Sequence, residues 1–115
     1  MQETWTIDFP ATTEPLALLQ QTLKEKQIEL GIFLSYYYKS EGAVAEKAVL
    51  VETPEFSTET SGNFTLQFDL IHFNACLAIH EQAKEEMKIS FEIDVQNETL
   101  LLKGAYWPSR EMDEI

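Results

Sequence analysis

Between Phe64 and Ile79 the apolar residues keep a two-residue beat that changes phase once. Phe64, Leu66, Phe68 and Leu70 alternate with Thr65, Gln67 and Asp69; then Ile71, Phe73, Ala75, Leu77 and Ile79 carry the apolar positions. Strict alternation specifies a strand with one face on a core and the other in water. A change of phase turns every later side chain to the opposite face unless the backbone absorbs one residue. The stretch therefore reads as one long, curved central strand with a bulge or bend near Leu70 and Ile71. For residues 74–87 the pattern leaves strand and helix both open.

The rest of the chain is arranged around that strand. Trp5, Ile7 and Phe9 alternate with polar residues and stop at Pro10, a short strand that belongs at a sheet edge because proline cannot donate to a ladder. Thr12 and Thr13 offer helix caps ahead of Glu14 and Pro15. Leu16, Leu19 and Leu23 then form an apolar stripe, widened by Leu18, against Gln20, Gln21, Lys24, Glu25 and Lys26. This is an amphipathic helix with one buried face.

From Ile28 to Lys39 the beat returns to two, with Ile28, Leu30, Ile32, Leu34, Tyr36 and Tyr38 on one face, and a strand is expected. Ser40, Glu41 and Gly42 make a turn. Val44 to Val51 is read as an antiparallel return strand, although its alanines also suit a helical turn. Thr53 to Asn63 reads as an exposed loop. Glu81 to Lys88, rich in Glu, Lys and Ala, suggests a widened turn or short helix. Ile89 to Val95 and Thr99 to Trp107 form a last strand pair across Gln96, Asn97 and Glu98, and Pro108 stops it. The fold class is α+β: one domain, residues 1–115, with one amphipathic helix packed on a curved, mostly antiparallel sheet of about five to six strands.

Charge narrows the function. Twenty acids face eight bases, a formal net charge of −12. Phosphate backbones and anionic membrane surfaces repel such a chain, so neither nucleic acid nor membrane is an expected partner. A protein with a basic surface is, because steering would make that encounter fast and salt-sensitive. Cys76 is the single cysteine, which excludes an internal disulfide and fits a reducing compartment. Met1 to Trp5 lack a basic start and an apolar run, so no secretory leader is expected. The sequence predicts a cytoplasmic protein.

No motif specifies a reaction or a ligand. His72, Cys76 and His80 recur every four residues, but on a strand successive members lie about 13 Å apart, too far to share one zinc ion. Asp69, Glu92 and Asp94 sit on the polar faces of strands, as solvated carboxylates do. The four glycines are isolated and form no phosphate cradle. Catalytic residues, a metal site and a cofactor are therefore not assigned.

Aromatic residues with a polar tip suit interfaces and pocket mouths. Tyr36, Tyr38, His72, Tyr106 and Trp107 are the candidate ligand-binding residues. The reading is a non-enzymatic acidic adaptor, chaperone or inhibitor that binds a basic protein surface. Its alternative is a small-ligand protein or enzyme with an apolar pocket between helix and sheet. A homodimer through the uncovered sheet face or an edge strand is a further expectation.

Overall fold

A computed structural model describes residues 2–74 and 79–106, with side chains for 2–72 and 83–106. Strand β1 (Thr4–Asp8) leads into helices α1 (Pro15–Glu25) and α2 (Gln27–Tyr38). Strands β2 (Ala43–Leu50), β3 (Glu55–Phe56), β4 (Ser61–Asn74), β5 (Ile79–Asp94) and β6 (Thr99–Lys103) follow. They form one antiparallel sheet in the order β1-β6-β5-β4-β2, with β3 paired to β4. The sheet curves into a half-barrel around the helices, an α+β fold as expected, but with two helices instead of one. No helix among the described residues is long and apolar enough to cross a membrane.

The second helix is the main correction. Ile28 to Lys39, expected as a strand, lies almost wholly in α2. Its apolar run satisfies two periods at once. The buried residues Leu30, Phe33, Leu34, Tyr37 and Tyr38 follow helical spacing, and the sheet selects that period. In α1, Pro15 takes the first turn and Leu19 and Leu23 are buried, while Leu16 is partly exposed. Glu14 holds the cap position, and its N–H donates to Thr12 Oγ1 at 2.9 Å, so the threonines brace the turn before the helix instead of capping it.

Between α2 and β2 the chain turns through Lys39–Glu41 to Gly42, whose φ of 70° is left-handed and therefore suited to glycine. β2 is a strand, as expected, but its partner is β4, since the segment before it is helical.

The central stretch also differs from its reading. β4 ends at Asn74 and β5 returns from Ile79, so Phe64 to Ile79 is not a single strand. The β4–β5 register is unbroken through Leu70↔Ala83 and Ile71↔Gln82, which leaves no bulge there. Phe64, Leu66, Phe68 and Leu70 are buried toward the helices. Ile71 instead pairs with the exposed Val44 on the outer face. The apolar positions change face while the backbone keeps its phase. The bulge belongs to β2, where Lys47 and Ala48 together oppose one residue of β4 and Lys47 has a φ of 56°.

Glu81 to Lys88 is neither turn nor helix. It pairs residue by residue with His72 to Thr65, and those rungs override the helix-forming composition. The expected loop over Thr53 to Asn63 holds the short β3, which pairs with Asn63 and Gly62. β1 is an edge strand, as its proline implied, and β2 is the other edge.

α2 occupies the seam between those two edges. On the β2 side, Ser35 Oγ accepts the Ala45 N–H at 2.8 Å and Gln27 Nε2 donates to the Ala48 carbonyl at 3.0 Å. On the β1 side, Phe33 stacks on Trp5 with centroids 6.3 Å apart, and the Tyr37 hydroxyl accepts the Glu3 N–H at 2.9 Å. Tyr37 also donates to the Ala105 carbonyl at 2.7 Å. One face of α2 thus closes the core and the other is turned outward.

Candidate functional site

Two surfaces stand out, and the fold assembles each from segments distant in sequence. The first is the outward face of α2. Ile28 is 78% exposed, Ile32 55% and Tyr36 52%, a ridge one helical turn apart at each step. Beside it, toward β2, runs a groove of about 840 Å³ with Gly31, Ser35, Ala43 and Ala45 in its floor and Val44, Lys39 and Lys47 on its rim. A smaller groove of about 270 Å³ follows the β1 side, between Trp5 and Ile32. The larger groove has the volume of a small-molecule site, but it lies outside the helix–sheet core.

The second surface is an acidic pole at one end of the sheet. The register aligns the end of β1 with the start of β6 (Asp8↔Thr99) and the end of β5 with the same residue (Asp94↔Thr99). Ala11 N–H donates to Glu98 Oε1 at 3.1 Å, Ile93 N–H to the Thr60 carbonyl at 2.6 Å, and Glu14 shares a shallow surface groove with Phe56 and Glu59. Asp8, Glu14, Glu55, Glu59, Asp94 and Glu98 are all exposed there, and segments 8–14, 55–61 and 93–99 contain no Lys, Arg or His. Hydrogen bonds from the backbone and side chain of Asn97 hold the Asp94 carboxyl below its ordinary range.

The structure separates the residues singled out from the sequence. Tyr36 and Tyr38 do not share a strand face: on α2, Tyr36 joins the outer ridge and Tyr38 is buried. Tyr106 is 69% exposed just past β6, away from His72, and Trp107 lies outside the described residues. His72 sits near the far end of β4, where its Nε2 is 3.4 Å from Glu41 Oε1.

The expected separation of His72 and His80 assumes that both lie along a single strand. The hairpin folds it back, so that Phe73↔His80 and His72↔Glu81 are neighbouring rungs. Cys76 lies outside the described residues. Among the described residues no group of three or more His, Cys, Asp and Glu could hold a metal ion. Asp69 is not a solvated carboxylate: it is buried, with Lys84 Nζ at 2.8 Å. Glu92 pairs with Lys103 at 3.5 Å.

Tyr38 has a measurable signature. Burial, then the nearby carboxylates of Glu85 and Glu41, push its hydroxyl up to about 12 from 10.0. Its folded-state value is the higher one, so the associated stability is fully present below pH 10.0 and is lost as pH rises through about 12. Tyr38→Phe is expected to flatten the alkaline decline of unfolding free energy, measured by urea denaturation on both sides of pH 10.0. An unchanged slope would assign that decline to other groups.

Comparison with protein-family models, with curated proteins and with solved structures finds no match to this chain. The class is therefore defined by its own geometry: an acidic half-barrel with a helix in its seam.

Proposed function

We propose that this chain is a non-enzymatic acidic interaction protein that binds another protein through that partner's basic surface. The observation that carries the reading is the acidic pole, six exposed carboxylates on three segments of loop and strand end, 8–14, 55–61 and 93–99, that contain no cation. Four of the eight bases in the sequence, Lys24, Lys26, Lys39 and Lys47, lie instead along the helices and β2. That asymmetry orients an approaching basic protein toward the loops. Val95 and Leu16, exposed on or beside the same loops, supply apolar contact once charge has brought the partner in. The single cysteine, Cys76, fits work in the reducing cytoplasm.

A fluorescent Lys/Arg-rich peptide is the probe. Its affinity is expected to fall steeply as salt rises, and to drop by roughly tenfold or more in the double variant Glu55→Lys/Glu59→Lys. The control Glu46→Lys/Glu86→Lys changes net charge equally on the outer sheet face and is expected to lose much less. Equal losses in both variants, or binding indifferent to salt, would refute a site at the pole.

A further inference from the structure

We infer that two copies of this chain associate through the outer face of α2, the ridge of each seated in the groove of the other. The helix itself supplies the first reason. From Gln27 to Tyr38 it is apolar on every side, with Glu29 its one charged residue. A helix of that composition belongs in an interior, yet Ile28, Ile32 and Tyr36 stand in water.

The second reason is shape. Ridge and groove lie side by side on one surface, so a two-fold axis near Ile32 places each ridge in the opposite groove without any further partner. A specific interface needs about 1,000 Å² of covered surface over the two copies, and the exposed ridge together with the adjoining groove is the apolar surface available for it.

Charge supplies the third. With the axis level with Ile32, between ridge and groove, and the helices antiparallel, Lys39 just past one end of α2 approaches the other copy's α1–α2 junction, where Glu25 ends α1. Both are exposed, and neither makes an ion pair among the described residues. The flank carrying Lys24, Lys26, Lys39 and Lys47 is also where two chains of net charge −12 repel least.

An added strand is a poorer occupant. Two outward backbone groups of β2, at Ala45 and Ala48, are already taken by Ser35 and Gln27, and the Lys47 bulge interrupts the edge. The association is therefore helix to helix, through side chains.

Sedimentation equilibrium of the full chain, from about 1 to about 200 µM, reads the result directly. A dimer is expected that tightens as salt rises to ~0.5 M, because screening relieves the repulsion between like-charged copies. That salt dependence is opposite in sign to the one expected for the basic peptide, so the two proposals fail independently. Ile32→Glu, at an exposed position, is expected to leave the circular dichroism spectrum unchanged and to raise the dimer Kd by about 100-fold. Lys39→Glu should weaken the dimer, and Lys39→Glu with Glu25→Lys should restore it. A monomer at every concentration overturns the inference. So does a dimer indifferent to Ile32→Glu, or a monomer carrying an apolar small molecule on this face in native mass spectrometry.

Discussion

Phe91→Ala is expected to lower the free energy of unfolding by about 3–5 kcal/mol, enough to consume much of the stability of a domain this size. Phe91 is essentially inaccessible at 1% and sits on β5, the middle strand of the sheet path. Its ring meets Phe56 edge-on at 5.1 Å and Phe64 nearly parallel at 6.1 Å. Truncation leaves a void beside β4, to which both β3 and β5 are paired, so the three strands have little room to collapse. Phe91→Leu, which keeps most of the volume, is expected to cost about half as much or less. Urea titration with an unchanged m-value would assign both losses to packing. A loss for Phe91→Ala near that of an exposed substitution would contradict the core described above.

Gly31→Leu is expected to destabilise the protein by about 3 kcal/mol despite improving the helix. Glycine costs a helix interior about 1 kcal/mol relative to Ala, so leucine, a good helix former, gains something locally. The gain is outweighed because a Cβ at this position would lie 2.9 Å from the Ala45 carbonyl oxygen, an atom held by the sheet. A whole leucine side chain must push α2 away from β2. The Ser35–Ala45 hydrogen bond of 2.8 Å would break with it and leave the Ala45 N–H open. Two measurements check this: a lower thermal midpoint, and faster hydrogen exchange at Ala45 relative to strands β5 and β6. Slow exchange at Ala45 in the variant would mean that α2 accommodates the side chain without leaving the edge.

Both predictions concern the seam and the core, and the sequence read these unequally. Strands with one wet face announced themselves: Trp5 and Ile7, Phe64 to Leu70, Ile89 to Ile93 and Leu100 to Leu102 all alternate, and all turn their apolar members inward or partly so. α1 was equally plain, because Leu19 and Leu23 face Gln20, Gln21 and Lys24 across the helix. α2 was not plain. Ile28, Leu30, Ile32 and Leu34 fit a strand, while Leu30, Phe33, Leu34 and Tyr37 fit a helix, and the polar residues that would separate the two readings are nearly absent. The same ambiguity misplaced the candidate site, pairing Tyr36 with Tyr38 on one face when the helix turns them to opposite sides. Tyr37, the middle of the three tyrosines and not among the candidate residues, is the one that joins α2 to Glu3 and Ala105.

By itself, then, the sequence determined the α+β class, the amphipathic first helix, the edge position of β1 and the excess of negative charge. Each of these is a local or summed property, visible as a period, a proline or a count. Tertiary structure alone decided that Gln27 to Tyr38 is helical, because only there can Gly31 and Ser35 bring a helix onto the open edge of β2. It also decided that Glu81 to Lys88 is strand, through fourteen continuous rungs between β4 and β5 that outweigh helix propensity. And it gathered Asp8, Glu14, Glu55, Glu59, Asp94 and Glu98 at one end, since antiparallel register brings together loops that lie far apart along the chain.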